Sequence, residues 1–153
     1  MYLWENDAEG WLDSATRAPV SRQQLWEYVT TYQAEPFSSG SARFVIVSRQ
    51  TGEAIGAVDL TSIDALNRRA EVSIVIDKEY RRRGYARAAL QLLADYCRLL
   101  LGLHQLYALT RAENLPSRQL FAAAGYRIGG RLRSWVRRGD SYSDAFVWQL
   151  LLV

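Results

Sequence analysis

The sequence predicts a mixed α/β (α+β) fold: a central, mostly antiparallel sheet with one parallel strand pair and flanking helices. Three observations predict it. Residues 43–76 hold three apolar runs separated by two turns, which read as consecutive antiparallel strands. Residues 71–101 switch from an alternating period to a helical one across a basic turn containing Gly84. Residues 104–110 then alternate again, and a strand that follows a crossover helix returns parallel to the strand before it.

At 153 residues the chain is sized for one domain, 1–153, with a core of its own. A hydrophobic share of 49% with 23% charged residues excludes the disordered classes, and no apolar run reaches the roughly 20 residues of a membrane span. The start, Met-Tyr-Leu-Trp-Glu-Asn-Asp, is too acidic for a signal peptide. Cys97 falls on the apolar face of the helix after Gly84 and reads as a reduced core thiol, in keeping with a cytoplasmic protein and no membrane partner. One histidine, His104, and one cysteine make no metal ligand set.

The net charge is +3, and Lys78 is the only lysine, so the positive charge is almost all arginine. Arginine suits bidentate phosphate contacts. One cluster spans 81–87; the other, 127–138, is explained by the solvated face of a hairpin. With modest charge and no recognisable binding motif, no nucleic-acid partner is expected.

Taken in order, residues 2–11 mix Trp4 and Trp11 with Glu5, Asp7 and Glu9, read either as an amphipathic first helix or as the lining of a pocket for a cation. Ser21-x-x-Gln24 is a capping box, and Leu25, Tyr28, Val29 and Tyr32 give the following helix an apolar stripe. That helix stops before Pro36 and a flexible loop, 38–41. Strands follow at 43–48 and 54–61 around the turn 50–53, with Asp59 conspicuous between Val58 and Leu60. A second turn, 64–69, leads into the strand beginning at Glu71, in which Val72, Ile74 and Ile76 alternate with Val75 beside them.

Ala86, Leu90, Leu93, Ala94, Cys97, Leu100 and Leu101 then recur at helical spacing up to Gly102. The turn between, Arg81-Arg82-Arg83-Gly84-Tyr85-Ala86, offers free backbone N–H groups at the positive end of that helix, beside three guanidinium groups. It reads as a phosphate or pyrophosphate cradle, or as a helix start whose arginines face water. Beyond the strand at 104–110, a loop carrying Asn114 and Ser117 enters a helix with Pro116 in its first turn, buried through Leu120, Phe121 and Ala124 and ended by Gly125. Strands at 126–137 and 142–151, joined by the turn 138–141, close the chain.

Two motifs in this order carry a resemblance. Arg81-x-x-Gly84-x-Ala86, directly after a hydrophobic strand, resembles the [QR]-x-x-G-x-[GA] signature of the GNAT family of N-acetyltransferases. Asn114-x-x-Ser117-x-x-Leu120-Phe121-x-x-x-Gly125-Tyr126 is similar to the N-x-x-[SA]-x-x-L-Y-x-x-x-G-F segment that closes the same fold. Trp4-Glu5-Asn6-Asp7, residues 103–107 and Arg138-Gly139-Asp140-x-Tyr142-x-Asp144 look most like the spermidine/diamine and ribosomal-protein N-terminal acetyltransferases of that family.

The resemblance implies acetyl-CoA as co-substrate and a primary amine as acceptor, either a polyamine, diamine or other small amine, or a peptide N-terminus. It implies that the backbone of Ile74, Val75 and Ile76 pairs with the pantetheine arm where two parallel strands splay. The pyrophosphate would rest on Arg81, Arg82, Arg83, Gly84, Tyr85 and Ala86, with Arg87 adding charge. Asn114 would orient the thioester arm or a water, and Ser117 would lie near the thiol. Glu71 matches a base or substrate-binding carboxylate acting through water with Asp59 as partner; alternatively both are strand-end carboxylates paired with Arg68 or Arg69.

Two departures stand out. Phe121 replaces a tyrosine that serves relatives as general acid; Tyr126, Tyr107 or Ser117 would substitute, the thiolate would leave unaided, or the chain is a silent acyl-CoA-binding module. The strand that relatives carry before the Trp4-Glu5-Asn6-Asp7 segment is also missing, which bears on the first sheet edge and on a homo-oligomer like those of sibling enzymes. Glu5, Asp7, Glu9 and Glu35 are the candidate carboxylates for a polyamine.

Overall fold

A computed structural model describes residues 1–14 and 18–153. Its centre is a six-stranded sheet of β1 (Ala42–Val47), β2 (Ala54–Asp64), β3 (Arg69–Ile76), β4 (Gln105–Arg111), β5 (Arg127–Arg138) and β6 (Ser141–Leu151). The strands lie in the order β1-β2-β3-β4-β6-β5. All neighbours are antiparallel except β3 and β4, which run parallel. The helices are α1 (Tyr2–Glu5), α2 (Arg22–Thr31), α3 (Pro36–Ser39), α4 (Tyr85–Leu99) and α5 (Leu115–Ala123), with 3-10 turns at Gly10–Asp13 and Lys78–Tyr80. The mixed α+β expectation and the parallel return after the crossover helix both hold.

The alternation of β2 and β3 divides the sheet into two faces. Val58, Leu60 and Val72 point to one face, where they meet Leu90, Leu93 and Cys97 of α4 and Phe121 of α5. Leu60 and Leu90 are almost wholly buried, and each such side chain contributes about 1.5–3 kcal/mol. Trp148 of β6 closes this core and gives its indole N–H to the Thr110 hydroxyl at 2.8 Å, both groups buried. Burial also pushes the Cys97 thiol up to about 12, so it is an inert core residue. Asp59, Thr61 and Glu71 point to the other face, toward α1 and α2.

Several boundaries differ from the sequence expectation. β2 runs on to Asp64 rather than stopping at Thr61, because pairing with β3 resumes past an irregularity at Ser62, whose φ is 49°. The loop expected at 38–41 begins as a helical turn instead: Pro36 sits at its start, and the Glu35 carboxylate accepts from the Ser38 amide. α4 ends at Leu99, and Leu100, expected in the apolar stripe, is 74% exposed. The capping box of α2 is present, yet none of its residues is buried, and Tyr28, Val29 and Tyr32 remain exposed. Gly56 lies so close to β3 that a Cβ there would meet the Val75 carbonyl at 2.3 Å, so β2 tolerates no side chain at that position.

Among the described residues no helix is long and apolar enough to cross a membrane.

Candidate active site

β3 and β4 hydrogen-bond through three pairs only: Arg69 with Gln105, Ala70 with Leu106, and Glu71 with Tyr107. Beyond Glu71 they diverge and leave a seam in the middle of the sheet. Asp77 donates its amide to Ile55 of β2 at 2.7 Å. By antiparallel alternation the backbone groups of Val75 therefore also face β2, whereas those of Val72, Ile74 and Ile76 face the seam. The Ile76 carbonyl accepts from Arg81 Nε at 3.0 Å. Of the three strand residues expected to receive a pantetheine arm, Ile74 and Ile76 present backbone to the seam and Val75 does not.

The basic turn follows directly on this bank. Arg82 has φ 60° and Gly84 φ 82°, two left-handed residues that curl the chain ahead of α4. Gly84 is the N-cap of α4 and supplies no side chain to its first amides, so the N–H groups of Tyr85 and Ala86 begin the helix uncapped. A Cβ built on Gly84 would meet nothing within 4 Å, so the turn opens onto free space. Arg81 is folded back onto Ile76, and Arg83 stacks on the Tyr80 ring, 5.4 Å from its centroid. Tyr80 in turn bonds the Glu53 carboxylate and meets Tyr85 edge-on. Arg82 and Arg87 have no carboxylate at ion-pair distance among the described residues. The N-terminus of a fifteen-residue helix with two uncommitted arginines suits a pyrophosphate.

The opposite bank is the end of β4 and the start of α5. The Asn114 side-chain oxygen caps α5 by accepting from the Ser117 amide at 3.2 Å, and its NH2 has no hydrogen-bond partner among the described residues. Asn114 and Ser117 thus sit together at the start of α5, just beyond the end of the strand that parts from β3. Tyr126 does not join them. It is 3% exposed, packs edge-on against Phe121 with ring centroids 5.1 Å apart, and buries its hydroxyl without a hydrogen bond. Burial, with the nearby Cys97, raises its pKa further.

Glu71 sits at the apex of the seam, in the last pair before the strands part. It is partly buried, has no hydrogen-bond or ion-pair partner among the described residues, and burial raises its carboxyl above the ordinary carboxylate range. Asp59, expected as its partner, is committed elsewhere. It accepts two hydrogen bonds from Arg43 at 2.7 Å, and the same guanidinium reaches Glu5 at 2.5 Å. Neither carboxylate pairs with Arg68 or Arg69; Arg69 binds Asp64 instead, at 3.2 Å.

The Arg43 cluster lines a cavity of about 260 Å³ with Gln24, Tyr28 and Thr61, whose direct cross-strand neighbour is Glu71. Arg43 was not singled out from the sequence. The signal was present, because a hairpin folded about the turn at 50–53 sets Arg43 opposite Asp59. Lys78 and Arg111, tied to the N-terminal carboxylates of Asp7, Glu9 and Asp13, had no such signal.

Comparison with known proteins bears on the family and the fold. A family model described as the acetyltransferase (GNAT) domain matches residues 1–127. The spermidine N(1)-acetyltransferase of Escherichia coli (strain K12) is 31% identical over 122 residues, which cover 80% of this chain and 61% of that protein. N-acetyltransferase p20 of Bacillus licheniformis is 31% identical over 109 residues, 71% of this chain and 61% of that protein. The chain thus spans about 61% of the length of these curated relatives. The crystal structure of spermidine N-acetyltransferase from Vibrio cholerae in complex with CoA and spermine superposes with a TM-score of 0.86 at 25% identity, covering 99% of this chain and 87% of that one. A dodecameric structure of the Vibrio cholerae enzyme in an intermediate state superposes at 0.75 with 26% identity, covering 93% and 79%.

Proposed function

The chain belongs to the acetyltransferase (GNAT) domain family, and from that premise we propose that it acetylates a primary amine of a polyamine or diamine with acetyl-CoA. The observation that carries the reading is the seam: unpaired strand backbone on one side, an uncapped helix N-terminus at its mouth, and a half-buried carboxylate at its apex.

The residues present fit acetyl-CoA. Ile74 and Ile76 offer the added-strand pairing that an amide-bearing arm requires. The amides at the start of α4, with Arg82 and Arg87, would hold the pyrophosphate, and Asn114 and Ser117 would serve the thioester end. The co-substrate supplies an activated acetyl group.

Glu71 supplies the base. An alkylammonium must lose a proton before it can attack, and a carboxylate with a raised pKa is a better acceptor for that proton, directly or through one water. Asp59 cannot share the task while Arg43 holds both its oxygens. For the departing thiolate, the buried Tyr126 hydroxyl is poorly placed as a donor, which its Phe variant tests; Ser117 is the alternative, and a thiolate also leaves tolerably without a donor. The cysteine chemistry and the donor support a cytoplasmic setting. The dodecameric neighbour supports self-assembly of this chain, which sedimentation would test.

The test is free-thiol release from acetyl-CoA against spermidine, short diamines, amino acids and basic peptides. Turnover with the polyamines is expected, and turnover with none of the amines overturns the reading. One observation favours a second reading, an acyl-CoA binder without turnover: Phe121 stands at the family's acid position and lies 4% exposed in the core. CoA binding by calorimetry without thiol release would support it.

A further inference from the structure

The strand register sets four side chains in a row across the sheet: Thr61, Glu71, Tyr107 and Gln149, from β2, β3, β4 and β6. Leu106 and Ala108, the neighbours of Tyr107 in β4, are buried in the core, so Tyr107 points to the opposite face, as Glu71 does. The two form the last pair before β3 and β4 part, and one stands on each bank at the apex of the seam. Neighbouring strands lie about 4.8 Å apart, so one small group on that face can touch both side chains. Their surroundings are committed elsewhere. The other charged side chains on that face of β2, β3 and β4 are ion-paired: Asp59 with Arg43, Arg69 with Asp64 and Arg111 with Asp13. Gln149, beyond Tyr107, fills the space that a Cβ on Gly129 would take and donates its amide to Gln105 at 3.1 Å. Thr61 stands on β2, outside the seam. Tyr107 is partly buried and, like Glu71, has no hydrogen-bond partner among the described residues.

Two oxygen acceptors at one apex suit an amine. When an ammonium loses a proton to Glu71, the lone pair left behind is aimed at the carboxyl. The nitrogen must turn before that pair meets the thioester carbon. We propose that Tyr107 is a catalytic residue that holds the amine through this turn: its phenol oxygen accepts one N–H while Glu71 takes the proton from another. The inference deepens the acetyltransferase reading above and rests on it. In the step, the Glu71 carboxylate gains a proton and the freed pair forms the C–N bond. The nitrogen sheds its other surplus proton to water, and the C–S pair leaves with sulfur as thiolate. Tyr107 neither gains nor loses a proton; it supplies the alignment that attack requires. A phenylalanine there keeps the ring and loses the hold.

Tyr107→Phe, Glu71→Gln and the double variant test this, by free-thiol release from acetyl-CoA with spermidine and by calorimetry with CoA. Loss of one hydrogen bond to the amine is expected to lower kcat about tenfold in Tyr107→Phe, with the Kd for CoA within about twofold of wild type. Because both residues act on one nitrogen, their losses are expected not to multiply, and the double variant should turn over within about threefold of Glu71→Gln. A ring that only covered the sheet would act independently of Glu71, and its loss would multiply in full. A double variant about tenfold below Glu71→Gln therefore overturns the inference. A wild-type chain that binds CoA but acetylates no amine removes the acetyltransferase reading and the inference with it; amine turnover that Tyr107→Phe leaves within about twofold of wild type removes the inference alone.

Discussion

Asp59 and Glu71 project from neighbouring strands onto one face of the sheet, yet Arg43 binds the first with two hydrogen bonds of 2.7 Å and leaves the second without a partner among the described residues. That asymmetry separates their chemistry. Both Asp59 oxygens are occupied by the guanidinium, whereas burial shifts the Glu71 carboxyl toward its neutral form. Burial therefore favours proton uptake at Glu71.

Glu71→Gln should therefore lower kcat by roughly 10²-fold, the scale of a lost general base, with little change in CoA affinity. The acid limb of the wild-type pH–rate profile should lie above the ordinary carboxylate range and vanish in the variant. Stability should move the other way. A carboxyl whose folded pKa is raised contributes stability that is full below its unfolded pKa and lost as pH rises through the folded one. The Tm advantage of the variant should thus be absent in acid and grow toward neutral pH. Unchanged turnover would make Glu71 a structural residue.

Gly84→Trp should abolish CoA binding measured by calorimetry. The indole has open space to enter and would fill the turn that the pyrophosphate needs. Gly84→Ala is the control for backbone strain: at φ 82° it should cost about 1–2 kcal/mol of stability while retaining most of the affinity. Undiminished binding in the tryptophan variant would sink the site assignment.

Tyr126→Phe removes a buried hydroxyl that has no hydrogen bond, so it should raise stability by roughly 1 kcal/mol. Retained kcat would leave the thiolate without a tyrosine donor, and a fall of tenfold or more would make Tyr126 that donor.

Thr110→Val keeps the shape of the side chain but strands the Trp148 indole N–H in the core. Denaturant unfolding should show a loss of about 1–3 kcal/mol. A loss below 0.5 kcal/mol, well under the roughly 1 kcal/mol minimum for such a group, would mean that the indole finds another acceptor.

The architecture was legible because its signals are local. The change of period across residues 71–101 marks strand, turn and helix, and Gly84 and Gly102 punctuate them where left-handed backbone is required. The residues proposed for the cofactor lie within that segment and in the Asn114-to-Ser117 cap, so the local structure that carries them was legible too. The ion pairs on the other face of the sheet were not. Arg43 meets Glu5 from 38 residues away, and Asp13 meets Arg111 from 98, and no period or motif encodes such a pairing. The stripe of α2 misled: Leu25, Tyr28, Val29 and Tyr32 have the spacing of a buried face, but α2 has no buried residue and beside it lies the charged cluster of Glu5, Arg43 and Asp59. Tyr126, assigned chemistry from its position in a motif, occupies the core because its ring is needed beneath α5.

The three-pair junction of β3 and β4 also bears on how the molecule is put together. It is the one backbone seam between a half-sheet made of residues 42–76 and another made of 105–151, each built from antiparallel neighbours close in sequence. Such halves can form from short-range contacts, and α4, whose Leu90 and Leu93 share one core with residues of both, acts as the clasp. A polypeptide divided at Gly102 would yield two pieces with complementary edges, one carrying the pyrophosphate turn and the other the Asn114 cap. Their reassociation would rebuild the seam from its two banks.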